Sequence, residues 1–316
     1  MAATFIPPFE RAWKRTRRIL LDPFRAERWL AIGFAAFLAG CAGGGWTAIG
    51  FQLRFPPRFE RYVEQPLLAF SDFAAGPLWR LGGAPWIVLG PLAAVGLLWI
   101  SSRGKFVFLD NLLGEHGAIA EPWRRAARLG NSLFLWRLGF AIALWLAFVA
   151  ILSPMVFYGR QMSESRWMGA VGGATVAAAA ILTPAVLAAF AEVALLVESF
   201  VVPLMARDRV TVLQAWRTLL PLLRRQPLDF VGYSVLALAA VTVLALALLV
   251  SVFATLCIVP LLLAIPLLGT LLALPLLALL RLYGVEFLAE FGPEWSVAPP
   301  APPPLPADPP DSVAGV

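Results

Sequence analysis

Between Asp229 and Arg281 the chain runs through more than 50 residues without a charged side chain, and this stretch restricts the fold more than any other feature. A helix crosses the hydrocarbon core of a bilayer in about 20 apolar residues. No water serves the peptide groups there, so a backbone in lipid must close its own hydrogen bonds as helices or as a sealed barrel. A run of this length reads as two spans, 229–253 and 258–282, joined by a tight turn near Ala254–Pro260.

The rest of the chain follows the same pattern. It has 316 residues, 60% of them hydrophobic and 14% charged, with a mean hydropathy of +0.80. Soluble chains run at roughly 45–50% apolar and about 25% charged. These proportions exclude a soluble enzyme domain, and they exclude disorder for the bulk of the chain. Further apolar runs at 29–50, 86–101, 133–153 and 172–205 complete six spans. The 172–205 run is long enough for two short passes, but a reversal in mid-bilayer would strand backbone groups in lipid, so it reads as one long tilted helix. The expected fold class is all-α: a polytopic helical membrane protein with six transmembrane helices. Its divisions are a cytoplasmic basic amphipathic segment at 1–28, a transmembrane domain at 29–290 and a disordered Pro-rich cytoplasmic tail at 291–316, extended from Val297 onward.

Basic residues orient these spans. Nineteen of the 25 Lys and Arg residues fall before the first span, between the second and third (counting Arg137), between the fourth and fifth, or at the C-terminal side. The alternate connections hold Arg54, Arg58, Arg61, Arg80, Arg160 and Arg166. By the positive-inside rule both termini are expected in the cytoplasm, with the protein in the cell (inner) membrane. An even number of spans fits this alternation. The net charge of +6 is then explained by topology and anionic lipid rather than by nucleic acid.

Chemistry-bearing residues are sparse. Cys41 and Cys257 lie in apolar runs, where a thiol packs as a small hydrophobe. His116 is the one histidine, within Gly114-Glu115-His116-Gly117, and it cannot build a metal shell without other ligands. No metal and no cofactor are expected. Leu38-Ala39-Gly40-Cys41 resembles a lipoprotein cleavage site, but the basic region before it is much longer than a signal n-region and the apolar run continues past Cys41 to Gly50.

A basic, Trp-containing phrase precedes each odd-numbered span. The copies are Ala12-Trp13-Lys14-Arg15-Thr16, Pro122-Trp123-Arg124-Arg125-Ala126, and Ala215-Trp216-Arg217-Thr218-Leu219 followed by Arg224-Arg225. Helical spacing in the third copy sets Leu213, Trp216, Leu220 and Leu223 on one face, with Arg217, Arg224 and Arg225 toward another. This is the pattern of an interfacial amphipathic helix. The expected architecture is three transmembrane hairpins, each preceded by a cytoplasmic amphipathic interfacial helix. Trp13, Lys14, Arg15, Trp123, Arg124, Arg125, Trp216, Arg217, Arg224 and Arg225 are then candidates for holding anionic lipid headgroups.

One phrase carries a resemblance to known proteins. Glu198-Ser199-Phe200-Val201-Val202-Pro203-Leu204-Met205 ends a long span and leads into Val212–Arg225 with its Ala-Trp-Arg phrase. Over Ser102–Leu282 this resembles poorly characterised bacterial membrane proteins related to the membrane domain of glycerophosphodiester phosphodiesterases. The resemblance implies a six-span bundle and no defined reaction. The catalytic barrel of that family has no counterpart here, because His116 is followed by Gly117 and no soluble stretch approaches barrel length.

Ionisable groups inside spans are the default place to look for function. Glu192 and Glu198 are the intramembrane acidic candidates, with Arg137 and Arg281 as charge partners. Six residues apart on a helix, the two carboxylates do not share a face. Gly40 with Gly44, and Gly169 with Gly173, have the spacing of helix-packing glycines. The loop Phe51–Leu81 mixes charges and aromatics as an amphipathic outer cap. The expected function is that of a membrane protein without enzymatic activity, which binds membrane lipids and organises the membrane, with a protein partner or a second copy as further occupants of its surface. The alternative is a small-solute or lipid transporter using an intramembrane carboxylate.

Overall fold

A computed structural model of the protein describes residues 5–42, 83–159, 166–254, 262 and 265–297. Among these residues every regular element is a helix. In chain order they are α1 (Ile6–Leu20), α2 (Ala26–Gly40), α3 (Gly83–Leu113), α4 (Ala120–Arg125), α5 (Ala127–Gly159) and α6 (Arg166–Leu196). A π turn (Val197–Val201) leads into α7 (Val202–Asp208), followed by α8 (Val212–Arg225), α9 (Pro227–Ala254) and α10 (Pro266–Ala289). Gly44, the loop 51–81, Cys257 and the Pro-rich tail beyond Val297 lie outside the described residues.

Four segments are long and apolar enough to cross a membrane: Leu89–Leu113, Ala127–Pro154, Val171–Asp208 and Leu267–Ala289. They fall on the expected spans at 86–101, 133–153, 172–205 and 258–282, with shifted ends. The largest shift is in α3, which runs on through Arg103 and Lys105 to Leu113. α9 covers the expected 229–253 span, and α2 covers the first part of 29–50, with 43–50 outside the described residues. The 172–205 segment runs as one helix through the π turn.

The helices converge at one end of the bundle. The Arg15 guanidinium on α1 donates to the Leu113 carbonyl at the end of α3 (3.2 Å), and the Val212 amide opening α8 donates to Ser132 near the start of α5 (3.2 Å). Arg11 and Arg15 pair with Glu286 at 3.1 and 3.6 Å, and Arg11 also pairs with Glu290, which fastens α1 to the end of α10. Thr211 and Gln214 form a capping box that starts α8. All three short basic helices, α1, α4 and α8, therefore sit where α3 and α10 finish and α5 begins.

The largest buried side chains gather at this same end. Phe200 stands edge-on to Phe230 (5.2 Å) and tilted against Tyr233 (4.8 Å), with Phe287 at 6.0 Å. Edge-on and tilted aromatic pairs of this kind add about 0.5–1.5 kcal/mol each beyond their area burial. Farther along the helices the apolar side chains turn outward, as with Ile142, Trp145 and Leu146 on α5 and Val235 and Leu238 on α9. An apolar side chain facing outward is what a lipid-facing helix requires.

Close approach of α2 to α3 depends on Gly104. A Cβ there would stand 2.6 Å from the Ala39 nitrogen and from the Leu38 carbonyl carbon, both backbone atoms that cannot rotate away. Gly173 differs, with nothing within 4 Å of the corresponding position. Gly104→Ala should therefore destabilise the bundle by about 1–3 kcal/mol, while Gly173→Ala leaves it unchanged. Thermal unfolding in detergent, followed by tryptophan fluorescence, checks this; equal Tm values for the two variants would contradict the close packing at Gly104.

Candidate functional site

Four charged side chains from four helices meet at a common depth. Lys105 and Arg281 each lie eight residues before the end of their helices, at Leu113 and Ala289. Arg137 lies ten residues into α5, and Glu198 ten residues before Asp208. At ~1.5 Å of rise per residue, all four sit roughly 12–15 Å from the basic end of the bundle.

Glu198 is the hub. Its carboxylate pairs with the Lys105 ammonium, and its backbone carbonyl accepts a hydrogen bond from Arg281 Nη1. That carbonyl is free for a local reason. The Val202 amide donates to Val197 in the π turn, and the residue after it, Pro203, has no N–H to give. Arg281 Nη2 reaches the Lys105 carbonyl at 3.5 Å, and its Nε is buried without a hydrogen-bond partner among the described residues. Arg137 Nη1 donates to the Ser101 and Ser102 hydroxyls at 3.1 and 3.2 Å. The Tyr233 hydroxyl donates to Ser199 at 2.9 Å.

Charge does not balance here. Among the described residues Glu198 is the carboxylate that acts on Lys105, Arg137 and Arg281 together. One anion against three cations leaves two positive charges in a low-dielectric setting, where unneutralised charge is costly. Lys105 is almost fully buried at 6% side-chain exposure, whereas Glu198 keeps 48%, because its surface opens into cavities. A cavity of about 360 Å³ lies between α2, α3, the π turn, α9 and α10, and one of about 220 Å³ lies between α3, α5 and α6. Lys105 and Glu198 line both.

Glu192 is placed apart from this cluster. It accepts a hydrogen bond from the Ser234 hydroxyl of α9 at 2.6 Å, so its observed partner is Ser234 rather than Arg137 or Arg281. Gly40 lines the larger cavity, and Gly169 lies in the first turn of α6. His116 Nδ1 is 2.7 Å from Asn111 Oδ1, and Cys41 contacts the Phe37 carbonyl at 3.1 Å. Among the described residues no three His, Cys, Asp or Glu side chains come together as a metal site.

The basic helices divide into inward and outward residues. Arg15 is engaged with Glu286 and Leu113, and Arg125 with Glu121. Trp123 packs edge-on to Trp99 at 6.2 Å, and Trp216 packs against Trp136 at 6.4 Å. Trp13, Lys14, Arg124, Arg217, Arg224 and Arg225 face outward. On α8 the buried stripe is Val212, Ala215, Leu219 and Leu222, and Arg217 and Arg224 stand on the face of Leu213 and Leu220 rather than toward another. Trp216 and Leu223 flank the buried stripe, while Leu213 and Leu220 are exposed. The exposed positions Leu213, Arg217, Leu220 and Arg224 recur at helical spacing and share one face. α8 packs on the π turn and on α5.

The model of a family described as of unknown function (DUF7544) matches residues 6–292. The chain belongs to this family. No curated protein and no solved structure matches it. The matched region runs from the first residue of α1 to beyond α10, so the charged cluster and all three basic helices lie within it. The family match adds nothing to the resemblance to phosphodiesterase membrane domains.

Lys105, Ser101, Ser102 and Tyr233 were not legible as site residues from sequence. Arg103 and Lys105 end an apolar run and so look like the edge of a span. The signal that they do not is the apolar Phe106-Val107-Phe108-Leu109 that follows.

Glu198→Gln should cost about 3 kcal/mol, because it leaves three cations facing one another, at the low end of the range for breaking a buried pair since Glu198 is half accessible. Lys105→Gln should cost less, because Arg281 and Arg137 remain to balance the carboxylate. Chemical or thermal unfolding in detergent compares them, and a larger loss for Lys105→Gln would contradict the role of Glu198 as the shared counter-charge.

Proposed function

We propose that this is a six-span integral membrane protein without enzymatic activity, whose basic helices bind anionic lipid at the cytoplasmic face and organise the membrane around the bundle. Three hairpins, each entered through α1, α4 or α8, and cytoplasmic termini complete this reading. The observation that carries it is the exposed face of α8. Leu213 and Leu220 alternate there with Arg217 and Arg224, so the leucines can enter the acyl boundary while the guanidinium groups reach phosphates beside them. Lys14 and Trp13 on α1 supply the same pairing of cation and apolar anchor.

Each basic side chain near an anionic surface contributes about 1 kcal/mol, reduced by salt screening. The triple variant Lys14→Gln, Arg217→Gln, Arg224→Gln should therefore retain roughly 10–100-fold less phosphatidylglycerol, against phosphatidylcholine, at low salt. Mass spectrometry of lipid co-purified with the full chain measures this. Equal retention in parent and variant would sink the reading.

A transporter is the second reading, favoured by the two cavities that meet at Lys105 and Glu198. Its intramembrane carboxylate would be Glu198 in place of Glu192. Flux of protons or fluorescent lipid in liposomes, lost on Glu198→Gln, would favour it over the lipid-binding reading.

A further inference from the structure

Arg281 is 9% exposed, lines the larger cavity and holds its Nε without a hydrogen-bond partner among the described residues. An unsatisfied guanidinium nitrogen at that depth is costly, and so is the excess of two positive charges around Glu198. We propose that the cavity between α2, α3, the π turn, α9 and α10 binds a phosphate-type oxyanion, held by Arg281 and Lys105. This site is separate from the outward faces of α1 and α8.

The donors fit that class of ligand. Arg281 Nη1 and Nη2 already donate to the Glu198 and Lys105 carbonyls, so the guanidinium offers a tetrahedral anion its charge and its remaining N–H groups, and the Lys105 ammonium adds a mobile point charge. Lys105 and Arg281 both line the cavity, with the hydroxyl-bearing Ser199 and Tyr233 on the same wall. Glu198 competes with the ligand for Lys105, which makes the site exchangeable: the carboxylate holds the ammonium until an anion enters and then yields it. Cation binding is disfavoured by the same three positive charges. The volume of about 360 Å³ exceeds what one phosphate group fills. The apolar part of the wall, with Ala36, Phe108 and Leu277, suits the carbon of a glyceryl ester beside it. A lipid headgroup and free phosphate share the chemistry, and the experiment separates them.

The test uses the full chain purified in a maltoside detergent, which carries no phosphate. Calorimetric titration is run with inorganic phosphate and, separately, with dioctanoyl phosphatidylglycerol. One equivalent should bind saturably from at least one source: phosphate binding identifies a free anion, and binding of the lipid alone identifies a headgroup. Arg281→Gln should weaken binding at least about tenfold, the loss of one charge-assisted bond. Arg281→Lys should restore part of it, and Glu198→Gln should strengthen it by removing the competitor. Because Glu198→Gln binds the anion more tightly, the bound anion should also raise its Tm more than that of the parent. No saturable binding from either source, or equal binding by Arg281→Gln, would overturn the proposal. The Lys14, Arg217 and Arg224 triple variant should keep the one-to-one binding. Loss of that binding in the triple variant would place the ligand on the outer helices, against this proposal and in favour of the lipid-binding reading.

Discussion

Glu198 bonds two cations through two separate groups because the helix that carries it is widened at that point. Pro203 withholds an amide, the π turn takes up the mismatch, and a backbone carbonyl is left facing Arg281 while the side chain of the same residue reaches Lys105. One residue thus ties α3 and α10 to the long Val171–Asp208 helix through two separate groups. Arg137, held on the Ser101 and Ser102 hydroxyls, brings α5 to the same point. The arrangement fixes the relative depth of these helices, since sliding any one by a turn would strand a charge away from its partners at a cost of several kcal/mol.

Packing follows from that depth. Burial concentrates between the charged layer and the basic end, where Phe200, Phe230, Tyr233 and Phe287 interlock and α1 is clamped by Glu286. On the other side of the charged layer the helices expose large apolar side chains, while α5 and α6 stay in contact there, with Phe140 4.5 Å from Phe190. Lipid is as apolar as leucine, so no hydrophobic force drives those parts together, and van der Waals contact such as that of Phe140 with Phe190 must do so.

How much of this is legible in sequence depends on the physical signal. Long uncharged runs locate helices, because the cost of a free peptide group in lipid is large and uniform. The four segments found long and apolar enough to span fall on expected runs. Their ends are less legible. A charge reads as the edge of a span on hydropathy alone, whereas Lys105 is buried because Glu198, 93 residues away, neutralises it. Glu198 is recognisable as an intramembrane acid, but its partners depend on tertiary arrangement. The same limit explains α8: its periodicity shows an amphipathic helix, yet with two apolar stripes available, Val212-Ala215-Leu219-Leu222 and Leu213-Leu220, only packing decides which faces inward.

The two stripes also connect the surface to the interior. A helix with two apolar stripes can serve two apolar surroundings, and on the proposed lipid-binding reading α8 marks the boundary between protein and lipid. Arg217 and Arg224 stand on its exposed side, while the charged layer lies roughly 12–15 Å deeper along the bundle axis. Positive charge outside and excess positive charge inside add to one electrostatic gradient of the same sign. On the two proposals taken together, anions gathered at the outer helices are raised in local concentration next to the interior cavity, and the two would act in series on ligands of one chemical class.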